Sequence, residues 1–445
     1  IGGWISHLFE YITGALKDVT FEVYALEDIQ AADGESEDYY KKDELIATIT
    51  TDETGIAKLS DLPLGRYYVK EKETAEGYVL DEEIREIDLT YVDQDTAEVT
   101  WNGDWQNNRQ KVEVSVLKKE KDTDRVLEGA VFALSAKDDI TNRDGDVVLE
   151  AGTVIEEKAT GEDGTLLFEA DLPIGFSYTV KETAPAPGFA TTDEVQEFTF
   201  TAESSDKAAV SYEFIFEDEP TVFEFTKTSL TDGKEVEGAK LTVTDENGEV
   251  VDEWVSGKEP HIIKELVVGQ TYTMTEVLPA PGYVTAESIQ FTVEDTAEVQ
   301  KVEMKDDVTK VEISKTDIAG EELPGAKLTI LDENGEVMES WSSSEEPHYI
   351  EMLPIGRYIL HEESAPEGYL VAEDIEFEVK DTGEIQKVVM KDEAAPEETP
   401  EEPQNPVGTD APKTGDDTNL LFWTALLGIG LCGTGAAFVM RRKRR

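Results

Sequence analysis

The stretch Gly356-Arg357-Tyr358-Ile359-Leu360-His361-Glu362-Glu363-Ser364-Ala365-Pro366-Glu367-Gly368-Tyr369 decides how this chain is read. Earlier copies run from Tyr67 to Tyr78, Tyr178 to Phe189 and Tyr272 to Tyr283. Each keeps a tyrosine, a glutamate four residues on, a glycine six further, then an aromatic. Side chains alternate faces along a strand, so Tyr358, Leu360 and Glu362 point one way, as do Tyr178, Val180, Glu182 and Tyr272, Met274, Glu276. Two apolar residues lead inward and a glutamate follows. A carboxyl on a buried face has to be neutral, paired or chemically employed, because leaving it ionised and alone costs several kcal/mol or more.

Outward from this motif, each unit from the second on opens with an alternating strand that ends in lysine: Val114-x-Val116-x-Lys118, Phe223-x-Phe225-x-Lys227 and Val311-x-Ile313-x-Lys315. About ten residues later comes Gly129-Ala130, Gly238-Ala239 or Gly325-Ala326. Each unit closes on an alternating strand ending in aspartate: Phe214-x-Phe216-x-Asp218, Val302-x-Met304-x-Asp306 and Val388-x-Met390-x-Asp392. Lys, Glu and Asp therefore share inward faces. The first unit departs from this. Its Glu71 and Asn107 match Glu182 and Asp218 at an offset of 111 residues, but that offset carries Lys118 back to His7, and Lys17 is out of register. No bond is expected in the first unit.

Short alternating runs separated by Asp, Gly and Pro predict an all-β chain from Val19 on. Acidic turns at Asp245-Glu246-Asn247-Gly248 and Asp332-Glu333-Asn334-Gly335 predict hairpins. The motif glutamates recur at intervals of 111, 94 and 86 residues, which predicts modules at 1–109 (truncated or degenerate), 110–220, 221–307 and 308–394. Residues 1–17, with Trp4, Leu8, Phe9, Ile12 and Leu16, are compatible with a short amphipathic helix. No signal-peptide pattern follows Ile1 within the sequence.

Residues 395–410 are rich in Pro, Glu and Ala and predict a disordered spacer. Residues 411–445 then carry Ala411-Pro412-Lys413-Thr414-Gly415, a 21-residue apolar run from Leu420 to Met440, and the basic end Arg441-Arg442-Lys443-Arg444-Arg445. The run is long enough for one transmembrane helix, and the basic end assigns everything before it to the outside.

Acidic residues outnumber basic ones by 100 to 39, a net charge of −61, which argues against nucleic acid and anionic membrane surfaces as partners. The four histidines, His7, His261, His348 and His361, are scattered, so neither a metal site nor a cofactor is expected. No nucleophile elbow or phosphate loop appears, and the chain reads as a non-enzyme. The lone Cys432 lies in the apolar run, leaving no disulfide for the modules. Another covalent staple is available. Burial favours a neutral amine and a neutral acid, so the lysine can attack the Asp carbonyl carbon while the glutamate moves protons; water leaves and an amide remains. Ordinary buried ion pairs are the alternative, and repetition of all three positions in three units favours the bond.

These motifs resemble the collagen-binding-protein B-type domains, the SpaA prealbumin-like modules of Gram-positive surface proteins and pilins. The resemblance spans about residues 18–394 and is carried by the lysine strand, by Leu127-Glu128-Gly129-Ala130 and its counterparts, and by the glutamate motif ending Ala365-Pro366-Glu367-Gly368-Tyr369. It implies tandem Ig-like β-sandwiches with isopeptide bonds from Lys118 to Asp218, Lys227 to Asp306 and Lys315 to Asp392, catalysed by Glu182, Glu276 and Glu362. The C-terminus resembles a cell-wall sorting signal with Ala411 in place of the usual leucine. That implies sortase and peptidoglycan as partners and a covalently wall-attached, extracellular stalk or adhesin, with an unidentified host extracellular-matrix or other surface ligand. A minor or basal pilin subunit, and the stalk of an enzyme whose catalytic domain lies outside this sequence, are the other readings.

Overall fold

The computed structural model describes residues 9–31 and 33–396, and every regular element among them is a strand. The expected all-β architecture is what forms. The spacer beyond Pro396, Ala411 to Gly415 and the apolar run lie outside the described residues. Residues 9–17 form no helix; Phe9 instead packs against the core of the second module.

The second module shows the plan. Lys111–Glu120 lies in the middle of a three-stranded sheet, antiparallel to Thr165–Phe168 on one side and parallel to Ala209–Asp218 on the other. A four-stranded sheet runs in the order Val195–Thr199, Ser177–Ala184, Val131–Ala136, Val154–Ala159. Val114, Val116 and Phe216 of the first sheet and Phe132, Leu134, Tyr178 and Val180 of the second share one core. The sheets thus stack as a sandwich, with the alternation of each strand dividing its residues between core and solvent.

The third and fourth modules repeat this arrangement. Their central lysine strands are Val222–Ser229, between His261–Lys264 and Val299–Asp306, and Lys310–Asp317, between His348–Glu351 and Ile385–Asp392. The acidic turns are hairpins: Gly248 and Gly335 take φ of +81°, and Asp245 and Asp332 accept the backbone N–H groups that close each turn. The first and last strands of every complete module are parallel, in-register neighbours, Val222 opposite Val299 and Ser229 opposite Asp306. The chain enters a module at one end of this pair and leaves at the other.

The first module has only the four-stranded sheet, Leu45–Thr50, Thr20–Ala25, Arg66–Glu73, Arg85–Asp88. Leu16-Lys17-Asp18-Val19 stands where Leu127-Glu128-Gly129-Ala130 stands in the second: the Thr51 hydroxyl donates to the Leu16 carbonyl as the Thr160 hydroxyl does to that of Leu127. Asp18 takes φ +65° at the place of Gly129, φ +87°.

Consecutive modules meet through the glycine of the glutamate motif. The backbone N–H of Gln110, Thr221 and Thr309 donates to the carbonyl of Gly77, Gly188 and Gly282 at 2.7, 3.0 and 3.0 Å. At the last two junctions the threonine hydroxyl also donates to Leu266 or Leu353 of the following module. A Cβ on Gly282 would sit 2.5 Å from the Met352 carbonyl oxygen, and φ there is +85°. At Gly368, φ +90°, a Cβ would meet nothing within 4 Å. Gly282→Ala is therefore expected to loosen the third junction and open residues 306–310 to protease. Gly368→Ala costs only the left-handed backbone penalty of about 1–2 kcal/mol and leaves that segment protected. Timed limited proteolysis of the two variants checks this.

Candidate functional site

In each complete module the lysine, glutamate and aspartate meet inside the sandwich. Lys118, Lys227 and Lys315 are at most 2% exposed, and Asp218, Asp306 and Asp392 at most 1%. In the parallel ladder Lys118 stands opposite Phe216, Lys227 opposite Met304 and Lys315 opposite Met390. The aspartate two residues further on returns to the same face and accepts a hydrogen bond from the lysine Nζ through Oδ1. From the facing sheet, Oε1 of Glu182, Glu276 and Glu362 comes within 2.9, 3.0 and 3.0 Å of Nζ.

The glutamate is held by its other oxygen. Oε2 accepts the backbone N–H of Thr192, Ala286 or Ala372, ten residues downstream, at 2.7–2.8 Å. Reading the strand pattern alone misses this support; the fixed ten-residue interval after each glutamate is the only signal for it. Asp Oδ2 and Glu Oε1 are the buried oxygens in each site that lack a hydrogen-bond donor. The amine lies close to Oε1 but off the hydrogen-bonding direction. Two carboxylates and one ammonium carry a net negative charge, which burial disfavours, so a further proton shared between the carboxyls satisfies both oxygens.

The acidities agree. Burial first, opposed by the lysine and reinforced by the adjoining glutamate, pushes Asp218 up to about 7 and Asp306 up to about 6. Asp392 is raised for the same reasons. The surroundings are apolar: Phe132 and Phe216 rings stand 4.8 Å apart and Lys118 Nζ lies 5.5 Å from the Phe132 centroid.

The first module keeps two of the three groups. Glu71, 5% exposed, accepts from Asn107 Nδ2 through both oxygens at 2.9 and 2.8 Å and from the Asp81 N–H at 2.9 Å. Phe21 and Trp105, 4.9 Å apart, repeat the Phe132–Phe216 pair. Lys17 is on the surface against Glu53, 2.9 Å away, and His7 lies outside the described residues. Ala411, Pro412, Lys413, Thr414 and Gly415 lie outside them as well.

Among known proteins, the family model described as the SpaA prealbumin-like fold domain matches residues 11–105, 112–213, 221–308 and 309–394. No curated protein sequence matches. Among solved structures, the TIE protein of Bacillus anthracis is 22% identical, over 86% of this chain and 70% of that one, with a TM-score of 0.38. A streptococcal ancillary pilin is 14% identical, over 64% and 100%, with a TM-score of 0.28. BcpA, the major pilin subunit of Bacillus cereus, is 15% identical over the same shares, also at 0.28. With four tandem matches across residues 11–394, the chain belongs to the family of SpaA prealbumin-like domains.

Proposed function

We propose that this chain is the load-bearing stalk of a Gram-positive surface protein, its second, third and fourth modules each closed by an autocatalytic Lys–Asp isopeptide bond. The observation that carries this is the same buried Lys–Glu–Asp constellation formed three times. In the apolar site the ammonium passes a proton to a carboxylate, since a neutral pair is cheaper there than two ions. The Nζ lone pair attacks Cγ of the aspartic acid. The glutamic acid hydrogen-bonds the developing oxyanion, takes the proton released by nitrogen and returns one to the departing hydroxyl. One C–N bond forms, one C–O bond breaks and one water leaves. The reaction turns over once, so the chain is not an enzyme for an external substrate.

The bond-forming rate should depend on pH with a definite sign. The aspartic acid is populated below its folded pKa, so condensation runs at its plateau below about pH 6. It then falls with rising pH, in the third module from about 6 and in the second from about 7. The same shift makes the unbonded fold more stable below the ordinary aspartate pKa of 3.8, and that contribution is lost as pH rises through the folded values. Chain synthesised cell-free at set pH, quenched in guanidinium chloride and weighed at intervals gives the profile. A rate that climbs through this window would overturn the protonated-acid route.

Wall attachment rests on the sequence of the tail. In the proposal sortase cuts between Thr414 and Gly415 and joins Thr414 to a peptidoglycan precursor. Thr414→Ala is expected to move the protein from the wall fraction released by muralytic digestion to the membrane and medium fractions. The proposal includes an unidentified extracellular-matrix or other surface ligand at the far end of the stalk. A minor pilin role would show instead as a high-molecular-weight ladder in wall extracts.

A further inference from the structure

The first module differs from the others by one strand. In the second module the lysine strand lies between Thr165–Phe168 and Ala209–Asp218. Both counterparts are present in the first module without their neighbour. Gly55, φ +75°, matches Gly164, φ +72°, but the residues after it form no strand, and Leu59 is 37% exposed where Phe168 is 4%. Val99, Trp101, Trp105 and Asn107 fall in the register of Val210, Tyr212, Phe216 and Asp218, yet this segment forms no strand either. Residues 57–64 and 97–107 make no backbone–backbone hydrogen bond. Two would-be edges thus face a gap one strand wide, at the end of which Glu71 already holds the Asn107 amide.

The chain before Leu16 leads away from this gap. In the second module the segment after the lysine folds back on itself, Lys119 bridging to Val126. The matching segment of the first module instead crosses to the second. Tyr11 donates to the Asp171 carbonyl at 2.9 Å, Arg109 lies 3.5 Å from its ring centroid, and Phe9 packs on the second module's core.

We infer that the first module is a strand acceptor, taking from another polypeptide an alternating apolar β-strand that ends in lysine and joining that lysine to Asn107. The incoming strand would restore two ladders, cover the Trp101–Trp105 face and bring a cation to Glu71, which supplies charge complementarity. The lysine nitrogen attacks Cγ of Asn107; one C–N bond forms, another breaks, and ammonia leaves with a proton relayed by Glu71. This rests on the reading of Glu182, Glu276 and Glu362 as condensation catalysts, and the test separates the two.

The full chain is incubated with synthetic peptides of its own three lysine strands, residues 111–120, 222–229 and 310–317, and weighed intact. The expected product is one peptide per chain, less one ammonia, mapping to Asn107. A 111–120 peptide with Lys118→Ala should bind without bonding, and Asn107→Ala and Glu71→Ala chains should give no adduct. The water losses of the other modules in the same spectra show whether the underlying chemistry operates. Those losses without an adduct from any peptide would overturn the strand-acceptor inference alone. So would an adduct that survives Asn107→Ala, or native protein from the envelope with Asn107 joined to a lysine of its own chain.

Discussion

The intact chain is expected to weigh three waters less than its sequence, with one water restored by each of Glu182→Ala, Glu276→Ala and Glu362→Ala. The losses follow from three sites in which an amine already hydrogen-bonds the carboxyl it would attack. The accompanying stability change is large. Each bond closes a loop of 77 to 100 residues. By the chain-entropy relation used for disulfides, that removes about 4–5 kcal/mol of unfolded-state freedom. For a module of under 100 residues this corresponds to a melting temperature lower by about 20–35 °C in the unbonded variant. Glu276→Ala is the informative change, because Lys227 and Asp306 stay in place and only the proton carrier goes. Lys227→Ala should fall further, since it leaves Glu276 and Asp306 facing each other in an apolar site with no cation. Mass spectrometry and calorimetry of the third module's variants in the full chain read both quantities. A wild-type mass equal to the sequence mass would remove the chemical basis of the stalk.

How far the sequence could be read depended on range. Which face a residue takes is a local property, so Tyr178, Val180 and Glu182, or Phe214, Phe216 and Asp218, could be set inward from alternation alone. The meeting of Lys, Glu and Asp became readable because three repeats in one chain hold the positions together; a single Lys and Glu would have carried no such inference. What stands opposite a side chain is a long-range property, and there the reading ran out. The backbone N–H groups of Thr192, Ala286 and Ala372 that orient the glutamates come from loops without a residue signature, since any non-proline residue supplies the donor. The glycine of the motif reads as part of the site but serves the junctions, because its carbonyl meets the next module. At the N-terminus, the spacing of Phe9, Ile12 and Leu16 suits a helix, yet Phe9 finds apolar surface on the second module and Leu16 on the first. A segment that spans two such anchors extends instead of coiling.

Pulled from its ends, a single stalk should yield no extension from the bonded modules. Force enters the third module at Val222 and leaves after Asp306, along two parallel strands joined at Lys227 and Asp306 in the proposed bond. Load then runs from Lys227 through the amide to Asp306 and bypasses the intervening chain. Only the short run from Val222 to Lys227 can straighten, about 20 Å at most. Without the bond, the 79-residue interval from Lys227 to Asp306 is released when the parallel pair shears, a step of about 260 Å at ~3.4 Å per residue. The Lys227→Ala chain is therefore expected to show one such step in force spectroscopy, with the second and fourth modules silent in the same trace as internal controls. The position of the bond explains this choice of residues. A cross-link between neighbours within one sheet face would close a loop equally well in entropy terms but leave the ends free to peel. Joining the first strand to the last at the exit end removes the mechanical path through the core. A wild-type trace with three steps of that length would mean that the buried triads are ion pairs only, and that rigidity under load comes from packing instead.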